Sequence, residues 1–353
     1  MTAAVHNYAG QGLGDDGVIE LLASGRLAGC AALRLWDNGL GDRAAEALAR
    51  SEDLAGLRLL DLGWNRIGPD GARALASSPT LSQLERLNLY HNDVLDEGAC
   101  ALAASAHLRP RDINLCRNGV GPEGAVALRE SSAMRGLRRL HAGCNRLGDE
   151  GLAVLAGLSH VEELNVRMNG VGPRGAQALA AGRGGTPLRF LGIEDNPIGD
   201  AGLLALAQSG LFGAAEVVIL ISVEITAEGL RGAAAYPRRN PGRLRLGLNA
   251  LGDRGIDALL SGPAIAGLIE LSLPFNDIGP RGAEQLAGSP LIRDLQRLDL
   301  VGNDIGPTGR AALCGSRFLA PGALRIDDEA ASATARPGGP DSPGAAAKES
   351  ESP

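Results

Sequence analysis

Five cysteines and five histidines are the side chains best suited to nucleophilic or metal chemistry in this chain of 353 residues. The cysteines are scattered and form no CxxC pair of the kind that zinc ribbons use. They stand at Cys30, Cys100, Cys116, Cys144 and Cys314. The only lysine is Lys348, which excludes phosphate-loop and Schiff-base lysine chemistry from the rest of the chain. The scattered, unpaired cysteines favour reduced thiols and therefore a cytoplasmic protein.

Cys116, His141 and Cys144 come nearest to a cysteine and histidine site. In the repeat frame described below, Cys116 and His141 fall in neighbouring repeats. No third residue is in place to orient the pair or to close a pocket over it. Positions on a flat sheet also rarely converge on a tetrahedral metal site. We therefore predict no catalytic residue, no metal site and no cofactor.

The charge and the apolar pattern exclude two classes of partner. The net charge is −7 and the pI is about 5.4, whereas nucleic-acid binding and docking on anionic membranes both depend on basic surfaces. No apolar run is long enough to span a membrane, and Met1 to Gly10 lacks the pattern of a signal peptide. We expect neither nucleic acid nor membrane as a partner.

A repeated motif dominates the sequence. Its consensus is LxxLxLxxNx(I/L/V)GxxGAxAL, and its asparagine recurs mostly every 26 or 27 residues. A degraded first copy contains Gln11, Leu13 and Gly17, and a ninth copy has Val223 in the asparagine slot, which gives about twelve repeats. The asparagines are Asn38, Asn65, Asn92, Asn118, Asn145, Asn169, Asn196, Asn249, Asn276 and Asn303.

Each part of the motif has a physical role. The LxL alternation predicts a short strand with its leucines turned inward. The asparagine amide can bond backbone groups at the following turn, so that stacked copies form a ladder. The glycines predict a corner with unusual backbone angles, and GAxAL predicts a helix, which a proline begins in five corners. Helices are wider than the strand spacing, so the stack must curve with its strands inside.

The predicted fold class is therefore α/β: a leucine-rich-repeat solenoid, or horseshoe, with a parallel sheet on its concave face and helices on its convex face. The motif LDLGWNRIGPDGARAL, Leu60 to Leu75, and its copies resemble the ribonuclease-inhibitor-like class of leucine-rich repeats. That resemblance implies a protein partner bound on the concave face. It leaves two alternatives open: a regulator of a small GTPase similar to the Ran GTPase-activating protein, and a targeting or sensor arm of an effector or receptor system.

Two repeats depart from the pattern. The step from Asn145 to Asn169 is three residues short, which predicts a loss on the helical side. The ninth repeat combines Val223 with Pro237 and Pro241, which predicts a break in the ladder and an irregular convex segment.

The domain boundary is predicted near the end of the chain. Residues 1–326 form the solenoid, the last helix runs to about Arg317, and Leu324 and Ile326 form a capping strand. Residues 327–353 are rich in Pro, Gly, Ser and Ala without an apolar period, so we predict a disordered acidic tail.

Candidate binding residues lie where the repeat exposes variable side chains. Trp, Tyr and Arg dominate binding hot spots, and aromatics are only 3% of this chain. The predicted site for an unknown protein partner, bound by a monomer, lies in the N-terminal half and comprises Trp36, Trp64, Tyr90, His91, Arg117, His141 and Arg167. A second predicted contact is an apolar patch of Val217, Ile219 and Ile221 in the ninth repeat. Ordinary solvated positions remain the alternative for the first group, and a local register shift for the second.

Overall fold

The computed structural model describes residues 4–183, 188–236 and 242–327. Within them, thirteen strands form one parallel sheet whose spatial order is the order of the chain. The strands are β1 Ala4–Asn7, β2 Cys30–Arg34, β3 Leu59–Asp61, β4 Arg86–Asn88, β5 Asp112–Asn114, β6 Arg139–His141, β7 Glu163–Asn165, β8 Phe190–Gly192, β9 Val217–Ile219, β10 Arg243–Arg245, β11 Glu270–Ser272, β12 Arg297–Asp299 and β13 Leu324–Arg325.

The helices lie on the other side of the solenoid, generally one after each strand. They are α1 Gly14–Ala23, α2 Asp42–Arg50, α3 Pro69–Ala76, α4 Leu95–Ala103, α5 Pro122–Glu130, α6 Gly148–Leu155, α7 Pro173–Gly182, α8 Gly199–Gln208, α9 Leu211–Ala214, α10 Ala227–Ala234, α11 Gly252–Leu260, α12 Pro280–Gly288 and α13 Gly306–Cys314. Short 3-10 turns occur at Glu52–Leu54, Ala133–Gly136, Pro263–Ile265 and Pro290–Ile292. The predicted leucine-rich-repeat horseshoe of about twelve repeats is confirmed.

The core runs continuously between the sheet and the helices. The middle residue of each three-residue strand from β3 to β12 is buried, as Leu60, Leu87 and Ile113 illustrate. Register pairing carries the same position from one repeat to the next, since Leu60 pairs with Leu33 and with Leu87. One repeat alone exposes this apolar face, so each repeat depends on both neighbours for its burial.

The predicted asparagine ladder is present. The Asn65 side chain is typical, because its Oδ1 accepts the N–H groups of Asn38 and Leu40 at 3.1 and 3.0 Å. Its Nδ2 donates to the carbonyls of Leu35 and Leu62 at 3.1 and 2.9 Å. Each asparagine of the ladder therefore joins two repeats through buried or partly buried hydrogen bonds.

The ladder breaks at the ninth repeat, as predicted. Val223 has no side-chain amide that could accept the N–H of Ile198. That N–H instead donates to the carbonyl of Asn196 in its own repeat, at 2.8 Å. The ladder resumes at Asn249, whose Oδ1 accepts the Val223 N–H at 3.0 Å. Pro237 and Pro241 lie outside the described residues, and α10 ends before them at Ala234.

Six helix N-termini, those of α2, α3, α5, α7, α10 and α12, are bonded by an aspartate of the preceding repeat. Asp96 near the start of α4 accepts the N–H groups of Gly121 and Gly124 at 2.7 and 2.8 Å, at the start of α5. Similar bonds join Asp15 to Gly41, Asp42 to Gly68 and Gly71, Asp149 to Gly172 and Gly175, Asp200 to Thr226, and Asp253 to Gly279 and Gly282. An aspartate here satisfies orphan donors and matches the positive end of the helix dipole.

Two kinds of corner alternate from α4 to α12. The first kind starts its helix with a residue at positive φ, such as Gly148 at 57°, whose N–H donates to the carbonyl in the asparagine slot of the next repeat. This kind of corner also carries the aspartate that accepts N–H groups at the start of the next helix. The second kind starts after an extended residue, such as Gly172 at φ −97°, and receives that aspartate. Leu95 takes the positive-φ place in α4, at 56°.

In four of the five Gly-Pro corners the glycine has a negative φ and is needed for space, which corrects part of the sequence interpretation. The exception is Gly306, whose φ is 60°. Gly68 has φ −94°, and Gly71 lies inside α3. A Cβ on Gly71 would stand 2.5 Å from Asp42 Oδ1 and 3.0 Å from Ala45 Cβ. The glycine is therefore required because the donated aspartate and the previous helix approach so closely.

The ends and the short repeat complete the comparison with the sequence. The capping strand is present as β13, but it ends at Arg325 and does not include the predicted Ile326. Helix α13 ends at Cys314, earlier than the predicted Arg317. The three missing residues fall between Asn145 and β7, in the segment that carries α6. Of the predicted tail, only Asp327 lies within the described residues, and its carboxylate accepts the Gly302 N–H at 2.6 Å.

Candidate protein-binding face

The concave face is built from side chains that flank the buried middle residue of each strand and from the two residues before each asparagine. The residue immediately before the asparagine position adopts a left-handed conformation in ten repeats, with φ between 49° and 57°. One of these is the ninth repeat, where Val223 occupies the asparagine position. That backbone geometry is uncommon for residues other than glycine. It occurs at Asp37, Trp64, His91, Arg117, Cys144, Met168, Asp195, Ser222, Leu248 and Phe275.

Four of the predicted site residues form one aromatic cluster, which comprises Trp36, Trp64, Tyr90 and His91. The Trp64 ring lies 6.1 Å from Trp36 and 6.2 Å from Tyr90 between centroids, in tilted arrangements. Its contact with His91 is closer, at 4.2 Å and 85°, which is an edge-to-face geometry. Tilted and edge-to-face pairs are the favourable aromatic arrangements. The cluster spans three consecutive repeats, and all four side chains are partly exposed.

Gly63 leaves the space in which the Trp36 ring lies, and the sequence analysis did not predict this role. A Cβ on Gly63 would stand 2.6 Å from Trp36 Cδ1, so the indole lies directly over the glycine backbone. The same arrangement places Arg167 over Gly143 and Pro274 over Gly247. The sequence did contain a pattern that predicts this arrangement. In each case a glycine stands two residues before one asparagine, and a large residue stands at the same position of the adjacent repeat.

Arg117 lies beside the aromatic cluster and shapes its electrostatics. Burial raises the pKa of Tyr90, and the charge of Arg117 partly opposes this. Burial also lowers the pKa of His91, and Arg117 lowers it further while Asp93 acts in the opposite direction. The Nδ1 atom of His91 is buried and has no hydrogen-bond partner among the described residues. His91 therefore favours its neutral form, as an apolar contact surface requires.

His141 and Arg167 lie apart from the aromatic rings. His141 ends β6, and its pKa is lowered by burial, against the opposing charges of Asp112 and Glu163. Arg167 lies over Gly143, and its Nη2 is 3.7 Å from Asp195 Oδ2. The structure thus joins Trp36, Trp64, Tyr90, His91 and Arg117 into one surface and leaves the other two as neighbours further along the sheet.

The predicted apolar patch of the ninth repeat requires correction. Val217 and Ile221 are partly exposed, but Ile219 is only 4% exposed. Its register places it between Gly192 of β8 and Arg245 of β10. Ile219 therefore cannot contribute to an exposed three-residue stripe, although it lies on the concave side of the sheet.

The cysteine and histidine combination does not form a nucleophilic pair. The Cys116 thiol accepts the N–H of Gly143, with 3.1 Å between nitrogen and sulfur. Burial raises the pKa of this thiol to about 12. Thiolate is the nucleophilic form of cysteine, so Cys116 is held in its inert form at neutral pH. No group of three or more metal-binding side chains occurs in the part of the chain that the structure describes.

Among residues 4–183, 188–236 and 242–327, no helix has both the length and the apolar character that crossing a membrane requires.

Comparisons with known proteins agree with the geometry of the repeats. No curated protein sequence is significantly similar to the chain. Five segments match the family described as Leucine Rich repeat, at residues 57–76, 135–156, 157–180, 186–207 and 292–314. Together with the solenoid fold, these matches identify the chain as a leucine-rich-repeat protein. Membership of the ribonuclease-inhibitor-like subclass stays a prediction.

Solved structures are similar to the chain at low sequence identity, and one of them, an internalin, shares its fold. The crystal structure of an internalin (inlF) from Listeria monocytogenes str. 4b F2365 is 20% identical, with a TM-score of 0.54 over 90% of this chain and 80% of that one. The plant peptide hormone receptor RGFR1 in complex with RGF2 is 13% identical, with a TM-score of 0.42 over 86% of this chain. The chain spans 52% of that receptor's length.

Proposed function

We propose that the protein is a non-catalytic protein-interaction module whose partner binds the concave face at the aromatic cluster and Arg117. The observation that carries this proposal is the cluster itself. Both tryptophans of a 353-residue chain meet Tyr90 and His91 on one partly exposed surface. Trp, Tyr and Arg are the residues that most often supply binding energy at protein interfaces.

The rigidity of the surface supports the proposal. Trp64 and His91 are held by left-handed backbone at φ 52° and 54°, and Trp36 is seated over Gly63. The rings also support one another through their tilted and edge-to-face contacts. A partner that covers them would bury large apolar area while little side-chain freedom is lost on binding.

The reactive groups of the chain support a role without catalysis. The Cys116 thiol is buried and bonded to backbone, and His141 lies between Asn114 and Asn165 in the register of the sheet. We further propose that the protein is a monomer and that it is cytoplasmic; the five free cysteines support the cytoplasmic location.

A pull-down with matched variants tests the site. The double variant Trp64→Ala/Tyr90→Ala removes two rings of the cluster, and we expect it to lose a partner that the unaltered chain captures from a lysate of the source cell. Tyr236→Ala is the control, because Tyr236 is an exposed aromatic whose hydroxyl contacts Gln208 on the helical side. Circular dichroism should show both variants folded.

Quantitative affinity decides the outcome. Loss of the two rings should weaken binding by about 2 kcal/mol or more, the size of a hot-spot effect. Because Trp36 and Trp64 are the only tryptophans, their fluorescence should change when the purified partner binds. A partner that binds the double variant as tightly as the original, with unchanged fluorescence, would contradict the proposed site.

A further inference from the structure

A second charged surface lies at the opposite end of the sheet, on β10 to β13. We call it the arginine strip, and it is defined by four arginines and two acids on the concave face. Its members are Arg243, Arg245, Glu270, Arg297, Asp299 and Arg325. Strands β5 to β9 separate it from the aromatic cluster.

Glu270 is the first of two buried anchors in the arginine strip. It is 9% exposed, and its Oε1 accepts the Nε–H of Arg245 at 3.0 Å. The Nε of Arg243 lies 3.9 Å from the other carboxylate oxygen. Two guanidinium groups of the neighbouring strand β10 thus lie close to one buried carboxylate.

Asp299 repeats the arrangement one strand later. It is 6% exposed, and its Oδ2 lies 3.2 Å from Arg325 Nη1 and 3.7 Å from Arg297 Nη2. Its Oδ1 accepts the N–H of Val301 at 3.2 Å. Both acids are therefore buried and engaged within the protein.

The arginines, in contrast, reach solvent. The side chains of Arg243, Arg297 and Arg325 are 56%, 50% and 60% exposed. Four positive and two negative charges leave the strip with a net charge of +2, within a chain whose net charge is −7. A guanidinium carries five N–H donors, and among the described residues each of these three exposed arginines contacts a single carboxylate, which leaves further donors for a ligand.

Apolar side chains border the arginine strip on both sides. Ile269, which precedes β11, is 43% exposed. Leu248 on the opposite rim is 48% exposed, and Phe275 follows it one repeat later. A ligand that pairs with the arginines would therefore also meet exposed apolar surface at either edge.

We propose that the arginine strip binds an acidic segment of a partner protein, in which carboxylate side chains stand beside apolar ones. Arginine recognises carboxylates through directed pairs of hydrogen bonds, and hydrogen bonds to a charged acceptor are stronger than neutral ones. Nucleic acid is disfavoured as the ligand because the protein as a whole is acidic. The site is independent of the aromatic cluster and extends the proposed function to a second contact.

Fluorescence anisotropy with three labelled probe peptides tests the proposal on the full chain. One peptide contains Glu, Leu and Ser, the second replaces Glu by Lys, and the third replaces Leu by Ser. We expect the Glu and Leu peptide to bind most tightly, the peptide without Leu more weakly, and the Lys peptide not at all. Affinity for the first should fall as salt rises.

Charge-reversal variants locate the binding. Arg243→Glu/Arg297→Glu should weaken binding of the Glu and Leu peptide by about tenfold or more, because like charges then face the ligand. The control is Arg43→Glu/Arg281→Glu, which makes the same charge change at exposed helical residues that each contact one aspartate. The Trp64→Ala/Tyr90→Ala variant should bind the peptide normally, which separates failure here from failure of the proposed function.

Three results would overturn the proposal. The first is equal binding of the Glu and Lys peptides, or no binding of either. The second is an equal loss of affinity in the strip variant and its control. The third is binding that appears only when residues 328–353 are removed, because that would assign the strip to the chain's own acidic tail.

Discussion

Asp61 illustrates how the concave face uses polar side chains to hold its own backbone. Its Oδ1 accepts the N–H of Gly63 at 3.1 Å and the Nδ2–H of Asn88 at 2.9 Å. Asn88, Asn114 and Asn165 make the same bond to the residue two positions later. These side chains fix the chain where it leaves the strand, and they thereby position Tyr90 and Arg167.

Replacement of Asp61 by asparagine should stabilise the protein at neutral pH. Burial raises the pKa of this carboxyl, against the opposing effects of its hydrogen bonds and of Arg34. The folded state thus holds a poorly solvated charge at pH 7, and asparagine keeps the accepting oxygen without that charge. We expect Asp61→Asn to raise the midpoint of urea unfolding at pH 7.

The pH dependence of that gain identifies its cause. A raised folded pKa means that the folded state binds more protons than the unfolded state between the ordinary value of 3.8 and the folded pKa. The advantage of the variant should therefore be full above the folded pKa and disappear as pH falls to about 3.8. Asp70→Asn, at an exposed aspartate of α3, is the control. A gain that is unchanged at low pH would contradict the explanation.

At this scale the sequence predicted part of the site. Trp64 and His91 fall in the same repeat position of consecutive repeats, so the strand spacing alone brings them together. Ile219 was predicted wrongly as exposed, because its burial depends on Gly192 and Arg245 of the adjacent strands. Side-chain packing across repeats decides which residue of the concave face is covered, and the repeat pattern does not specify that packing.

The helices are completed by residues of their neighbours at both ends. Asp96 bonds the N-terminus of α5, and the Ser131 hydroxyl donates to the carbonyl of Ala103 at the end of α4. Ser78 and Ser316 make equivalent bonds to Ala49 and Ala287. Helix-end stability is therefore a property of the interface between repeats.

Removal of one such aspartate should destabilise the protein. Asp96→Ala leaves two N–H groups at the start of α5 without their acceptor, and we expect a loss of about 1–2 kcal/mol in the free energy of unfolding. Glu97→Ala is the matched control, because Glu97 occupies the first turn of the same helix. Urea denaturation measures both, and equal losses would show that general charge near α4 explains the effect.

The short sixth repeat is closed by an arginine that the sequence did not reveal. Arg183 is 1% exposed, and its guanidinium donates to the carbonyls of Leu158 and Val161 at 3.1 and 2.7 Å. Burial lowers the pKa of this group. The sequence predicted where residues are missing, but which side chain satisfies the freed carbonyls depends on the three-dimensional course of the chain.

Taken as a whole, the solenoid transmits stability from repeat to repeat, so the gap at Val223 has a consequence for cooperativity. Every repeat contacts only its neighbours, and stability is then a sum of repeat and interface contributions. The interface between the eighth and ninth repeats lacks the asparagine amide. The repeat pattern predicted this architecture almost completely, because each repeat encodes its own strand, corner and helix.

Hydrogen exchange should detect the weak interface. Ile198 and Ile278 occupy the same position two residues after an asparagine, and both are fully buried. The Ile278 N–H donates to Asn303 at 3.0 Å, whereas the Ile198 N–H bonds within its own repeat. We expect the Ile198 amide to exchange faster under native conditions. Equal protection of the two amides would show that the missing ladder residue does not loosen the interface.

The alternation of two corner types has a further consequence for how such a chain can lengthen or shorten. From α4 to α12, a corner that gives an aspartate is always followed by one that receives it. Deletion or duplication of one repeat within this range would place two aspartate-giving corners or two aspartate-receiving corners side by side. The chain contains such a junction once, because α2 receives Asp15 and also gives Asp42 to α3. Removal or copying of two consecutive repeats would leave every junction matched. From α4 to α12 the matched building block of this solenoid is therefore a pair of repeats, and gene rearrangements in even steps would keep every junction there unchanged.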